Sequence, residues 1–297
     1  MQSQSQTNPL PWLVLTTLLW GGSFVFNKIG FREIHPVTFL FLRFAAATLL
    51  MGVICLPRLR RLDRTILRRG AAVGSALAAA NLTFVLGVAG TSVSRAGFLN
   101  NLFVLIVPAM SIVLWKERPD RFLACGVALA ATGLFFLAWG GSGGFSRGDM
   151  LSTLCSLFIA LHIVMVSRVL GDEDVYLVTL VQFATVAVVG GILTLLLRAP
   201  LPVPGPVSLG ALAYCAIFPT TVCFTIQNTF QRFTSPTVAG LVYTLDPVWS
   251  ALGGMLLLGE RLAPLELGGC VLILAGVVTP TAARLAADSR RVAPAGG

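Results

Sequence analysis

Apolar runs separated by short polar connections fill almost the whole chain. The first extends from about Pro9 to Ile29, and others follow at about 36–56, 70–90, 93–115, 122–139, 150–169, 175–197, 208–230, 235–258 and 264–282. Each is close to the about 20 residues with which an α-helix crosses the hydrocarbon core of a bilayer. The pattern therefore predicts an all-α polytopic membrane protein with ten transmembrane spans. Residues 1–8 form a polar, uncharged tail. The tail lacks the basic n-region and cleavage site of a signal peptide, so the first span is expected to be retained.

Composition narrows the function classes. Of 297 residues 56% are hydrophobic and 11% charged, with a mean hydropathy of +0.87, which excludes an ordinary soluble enzyme and leaves no length for a sizeable extramembrane domain. The net charge of +9 would suggest nucleic acid in a soluble protein, but here the placement of the charges decides. The even-numbered connections and the C-terminal tail carry 14 basic residues and the odd-numbered connections 6, so the positive-inside rule places both termini in the cytoplasm. The cluster Arg58–Arg69 is read as that topology signal beside anionic headgroups, with a regulatory partner as the alternative. Six cysteines lie in apolar stretches without a CxxC pair, and two histidines are too few for an HExxH or multi-histidine site. No metal, cofactor or nucleic acid is expected.

Displacing the sequence by 143 residues aligns 91–133 with 234–276 without gaps. Thr91 and Ser92 meet Thr234 and Ser235, Ala96 and Gly97 meet Ala239 and Gly240, and Glu117 and Arg118 meet Glu260 and Arg261. Gly126 and Gly133 meet Gly269 and Gly276. The expected organisation is a five-span repeat over 9–143, a second over 144–282 and a cytoplasmic tail at 283–297. Because five is odd, the halves must be inverted, with Glu117 at the cytoplasmic face and Glu260 at the exterior. Inverted repeats are a signature of carriers that work by alternating access.

Four segments carry a family resemblance: Leu18-Leu19-Trp20-Gly21-Gly22-Ser23-Phe24, Leu42-Arg43-Phe44, Asp246-Pro247, and Leu258-Gly259-Glu260-Arg261-Leu262. With the ten spans and the duplication, the chain resembles the EamA-type branch of the drug/metabolite transporter superfamily over essentially its whole length. The resemblance implies a bacterial inner-membrane carrier, commonly an exporter of amino acids or other small metabolites, with a central cavity built from both halves. Members often carry Glu-Pro where this chain has Asp246-Pro247. The first repeat places its proline at Pro108, four positions beyond the equivalent of Pro247.

Polar residues inside apolar spans are the candidates for transport. Asp246 lies about 16 Å into span 9, where a carboxylate costs about 2.5–3.5 kcal/mol unless a cavity or partner receives it. It is either a site for a substrate amine or proton, or a neutral carboxyl capping backbone freed by Pro247. Tyr243, Asp246 and Ser250 share a face at i, i+3 and i+7, and Asn100 is the repeat equivalent of Tyr243, with Asn101 beside it. Asn81 in span 3 joins these candidates. Arg43 attracts a carboxylate, pairs with an acid or snorkels outward. His162 is a proton site or a hydrogen-bonded structural residue. Trp20 and Phe24, with Tyr214 and Trp249, are a candidate aromatic wall. Span 8 is interrupted at Pro219, and a helix break in lipid points to a cavity. Glu117 and Glu260 are expected at the N-termini of the helices that follow them, with a gating role as the alternative.

The leading expectation is a cofactor-free carrier of a small zwitterionic or amphipathic metabolite, coupled to protons through Asp246 and His162. An intramembrane hydrolase using Ser23 and His162 is one rival, and a channel or scaffold is another. The partners expected are a small-molecule substrate and the lipid bilayer. Oligomeric state is not legible in the sequence.

Overall fold

The structure is a computed structural model that describes residues 8–91, 93–138, 145–249, 251–252 and 263–292. Among the described residues all regular structure is helical. In chain order the helices are α1 (Leu10–Gly30), α2 (Pro36–Cys55), α3 (Arg64–Gly90), α4 (Val93–Asn100), α5 (Phe103–Trp115), α6 (Arg121–Ala138), α7 (Arg147–Arg168), α8 (Val175–Leu196), α9 (Pro206–Cys215), α10 (Cys223–Phe230), α11 (Pro236–Tyr243) and α12 (Pro264–Val292). Seven continuous helical segments are long and apolar enough to cross a membrane: α1, Pro36–Arg61, α3, Ala96–Trp115, α7, α8 and Pro206–Phe233. Arg121–Phe136 and Pro264–Pro280 are shorter apolar helices.

Local chemistry explains where the elements start and bend. The expected connection between spans 2 and 3 is mostly helical, because Asp63 caps α3 by accepting from the Ile66 N–H at 2.7 Å. A 3-10 turn, Leu56–Arg61, fills the rest. Asp120, and not Glu117, caps α6, accepting from the Phe122 and Leu123 N–H groups at 2.9 Å each. Glu117 bridges instead to Arg168 at the end of α7. At the start of α7, Ser146 and Asp149 form a reciprocal capping box.

Spans 4 and 9 are each broken, at matching positions. Asn101 N–H donates to Phe98 O and Leu102 N–H to Leu99 O, at 3.1 and 3.3 Å. Thr244 N–H donates to Leu241 O and Leu245 N–H to Val242 O, at 3.2 and 3.1 Å. Both are i→i−3 bonds at positions 143 residues apart, although the prolines that follow are offset.

Glycines set the closest helix crossings. Gly70 and Gly74 of α3 lie against Val181 and Thr185 of α8, and Gly87 and Gly90 lie against Ser152 and Gly148 of α7. Between α6 and α12 the contact is reciprocal: Gly126 abuts Gly276, and Gly133 abuts Gly269. Small residues allow this approach, which gains dispersion contacts where lipid supplies no hydrophobic drive.

At the basic end of the bundle, the connection 169–174 gathers the arginines. Arg58 approaches Asp174 at 3.5 Å and covers the Tyr176 ring, Arg69 pairs with Glu173, and Arg232 donates to Gly171 O at 2.9 Å. Burial pushes the Glu173 carboxyl up, but the Gly171 N–H and Arg69 outweigh it and hold the group below the usual carboxylate range.

The α6–α12 contact predicts a position-dependent response to one methyl. A Cβ at Gly133 would lie 2.5 Å from Gly269 O and 2.9 Å from Ile273 N, both backbone atoms that move only if the helices part. Gly133→Ala should therefore lower stability by about 1–3 kcal/mol. Gly210→Ala, whose Cβ meets nothing within 4 Å, should be neutral or stabilising. Thermal unfolding of the two variants in detergent checks the contrast.

Candidate functional site

The interruption of span 8 is where the site begins. Pro219 has no N–H, and its ring displaces the carbonyl four residues back, that of Cys215. The chain answers with a π-helical turn, Ala216–Val222, between α9 and α10. Thr220 Oγ1 donates to Cys215 O at 2.6 Å and Thr221 Oγ1 to Ala216 O at 2.8 Å. From α1, the Trp20 indole N–H donates to Pro219 O at 2.9 Å. From α2, Arg43 Nε donates to Thr220 Oγ1 at 2.6 Å. Arg43 is only 4% exposed, so it does not snorkel, and no carboxylate pairs with it among the described residues.

These groups form one wall of a central cavity of about 110 Å³, room for several waters or a small metabolite. Of the sequence candidates, Trp20, Ser23, Arg43, Asn81, His162, Tyr243 and Asp246 line it. The i→i−3 turn after α11 keeps Tyr243 and Asp246 on one side, as residues three apart eclipse in such a turn. One oxygen of Asp246, Oδ1, is buried without a hydrogen-bond partner. Arg43 has no partner other than Thr220 for its guanidinium N–H groups among the described residues, which leaves the Nη atoms for a ligand.

Polar partners fix the remaining walls. His162 Nε2 lies 3.3 Å from Gln182 Oε1 of α8, with the Phe224 ring edge-on to the imidazole. Among the described residues no hydrogen bond joins His162 to Ser23, although both face the cavity. Tyr243 Oη and Gln227 Nε2 both donate to Gln231 Oε1, at 3.0 and 2.7 Å. Gln231 Nε2 in turn donates to Ile163 O and Ser167 Oγ of α7. Asn81 donates to Leu77 O within its own helix.

Other candidates fall elsewhere. Tyr214 stacks on Phe26 at 4.0 Å and Trp249 donates to Thr17 Oγ1 at 2.9 Å, so both pack against α1 outside the cavity. Asn100 and Asn101 are buried at the α4–α5 break; Asn101 donates to Gly97 O, and both amide atoms of Asn100 lack partners. Glu117 sits at the basic end with Arg168. Ser250 and Glu260 lie outside the described residues. Phe84, Phe103, Phe224 and Gln227 also line the cavity. For Phe103 a signal existed: it is the repeat equivalent of Asp246.

The cavity lies between two sets of polar ties. Towards the basic end are the Gln227–Gln231–Tyr243 network and the Glu117–Arg168 pair. At the opposite end Lys28 Nζ donates to Thr91 O at 2.9 Å, and Thr91 Oγ1 donates to Asp149 Oδ1 at 2.6 Å, joining α1, α3 and α7.

Thr220 is the hinge of the Arg43 wall, since it both frees and fills hydrogen bonds there. Thr220→Val should cost about 1.5–3 kcal/mol by leaving a buried guanidinium N–H unpaired, whereas Thr220→Ser should stay near the wild type. Thermal unfolding of both variants measures the difference.

The EamA-like transporter family matches the chain twice, over residues 8–139 and 146–280. Two proteins of Archaeoglobus fulgidus, each named an uncharacterized transporter, are similar. One is 28% identical over 266 residues, covering 90% of this chain and 83% of the relative. The other is 26% identical over 291 residues, covering 91% and 96%. A solved crystal structure shares the fold with a TM-score of 0.75 at 18% identity, over 92% of this chain and 97% of that one. The helical, multi-pass architecture and the two matches together place this chain in the EamA-like transporter family.

Proposed function

We propose that the protein is a secondary transporter, working as an exporter in the bacterial inner membrane, for small zwitterionic metabolites such as amino acids. The observation that carries this reading is the pairing, in one cavity, of an unpartnered Asp246 oxygen with an Arg43 guanidinium whose Nη atoms are free. Opposite charges set in an aromatic enclosure suit an ammonium, a carboxylate and an apolar side chain at once. The walls that hold them, Trp20, Phe84, Phe103 and Phe224, offer that apolar contact.

Alternating access follows from an inverted repeat of five spans each. Supporting it are the matching i→i−3 breaks and the reciprocal glycine contacts, in which Gly126 meets the equivalent of Gly133 and Gly133 meets the equivalent of Gly126. Reciprocity of this kind is what a two-fold relation between like halves produces. With both termini cytoplasmic, the Glu117–Arg168 pair closes the inner side and the Lys28–Thr91–Asp149 ties close the outer side. Protons couple through Asp246, with His162 as the second titrating group.

Proteoliposomes loaded with a mixture of amino acids and small metabolites test this directly, with efflux followed by mass spectrometry with and without a pH gradient. Saturable loss of a zwitterionic class is expected, faster when the gradient is imposed. Asp246→Asn and Arg43→Gln should each slow it by about tenfold or more, the worth of a charged hydrogen bond. Efflux of uncharged solutes alone, or flux unchanged in both variants, overturns the zwitterion site; indifference to the pH gradient overturns proton coupling.

A further inference from the structure

A second cavity lies at the basic end, where the first turns of α3 stand apart from the last turn of α7. It is a groove of about 570 Å³. Arg64, Arg68 and Arg69 line its rim, and Ala72 of α3, with Met165 and Val169 from α7 and its C-cap, form the apolar part. Arg64, Arg68 and Ala72 follow one another at i, i+4 and i+8, a single stripe of the helix.

The arginines of this end are not equivalent. Arg58 and Arg69 are taken up by Asp174 and Glu173, while Arg60, Arg61, Arg64 and Arg68 have no carboxylate partner among the described residues. Of these four only Arg64 and Arg68 face the groove. The 27 residues of α3 span about 40 Å against a hydrocarbon core of about 30 Å, so the first turns reach the headgroup layer. Ala72, Met165 and Val169 then lie where acyl chains begin.

We propose that this groove binds an anionic phospholipid, its phosphate bridged by the guanidinium groups of Arg64 and Arg68 and an acyl chain lying on Ala72, Met165 and Val169. The planar fork of each guanidinium matches two phosphate oxygens, and a basic pocket between helices at this depth selects headgroup charge. The bound lipid spans α3 and α7, the helices that carry Asn81 and His162. The site does not depend on which solute is transported.

Native mass spectrometry of the full chain, with phosphatidylglycerol or phosphatidylcholine added to detergent micelles, tests the proposal. The wild type should retain one phosphatidylglycerol and discriminate against phosphatidylcholine. The double variant Arg64→Gln/Arg68→Gln should lose retention by about tenfold or more, while Arg60→Gln/Arg61→Gln, which removes the same charge off the groove, should keep it. Equal losses in both pairs, or equal retention of the two lipids, overturn the site in favour of diffuse surface charge. Displacement of the lipid by millimolar inorganic phosphate overturns it in favour of a free-anion site. On the unmodified protein, phosphatidylglycerol should protect Arg64 and Arg68 from phenylglyoxal more than Arg60 and Arg61; uniform protection overturns the proposal without relying on any variant.

Discussion

A backbone carbonyl released inside a bilayer has no water to turn to, and each one left unpaired costs several kcal/mol. Pro219 releases such groups in the middle of span 8, and much of the cavity wall answers that need. Thr220 and Thr221 cover the carbonyls of Cys215 and Ala216, and the Trp20 indole covers that of Pro219. Because the Thr220 hydroxyl donates to the backbone, its oxygen is left to accept from Arg43. A proline in one helix thereby fixes the positions of an indole from α1 and a guanidinium from α2, and so decides the chemistry of a site to which it contributes no charge.

The same economy of backbone bonding recurs at the breaks of spans 4 and 9. Neither helix is abandoned there; each tightens to i→i−3 bonds for one step and then resumes. Tightening lets Tyr243 and Asp246 stand one above the other on the cavity side. The corresponding pair in the first half, Asn100 and Phe103, diverges in use: Phe103 lines the cavity, while Asn100 is buried apart from it. Equivalent backbones thus carry unlike side chains, which gives a related pair of halves an asymmetric site.

Charge is distributed by depth. Inside, Arg43 and Asp246 stand with few partners; at the basic end, carboxylates on 169–174 neutralise some arginines and leave others exposed. Surface pairs such as Arg58–Asp174 contribute little stability singly because solvent screens them. Their consequence is selective: they determine which arginines remain for other ligands.

Long apolar runs made the helical, membrane-spanning class legible from the sequence alone, because a bilayer permits few ways to satisfy a backbone. The need for partners at Pro219, the burial of Asp246 and the glycine tokens at the 143-residue offset were legible for the same reason: each is a local violation that lipid makes expensive. Which residues meet was not legible. That Asp120 caps α6 while Glu117 reaches Arg168, that Tyr214 and Trp249 turn away from the cavity, and that Arg43 lands on Thr220 all depend on how helices distant in sequence cross. Those crossings are set by close approach at glycines and by the rotation of each helix about its own axis, to which a nearly uniform apolar pattern gives almost no signal. The sequence by itself determined the solvent of this chain and the places where its helices must break; only tertiary packing decided which side chains gather at those breaks.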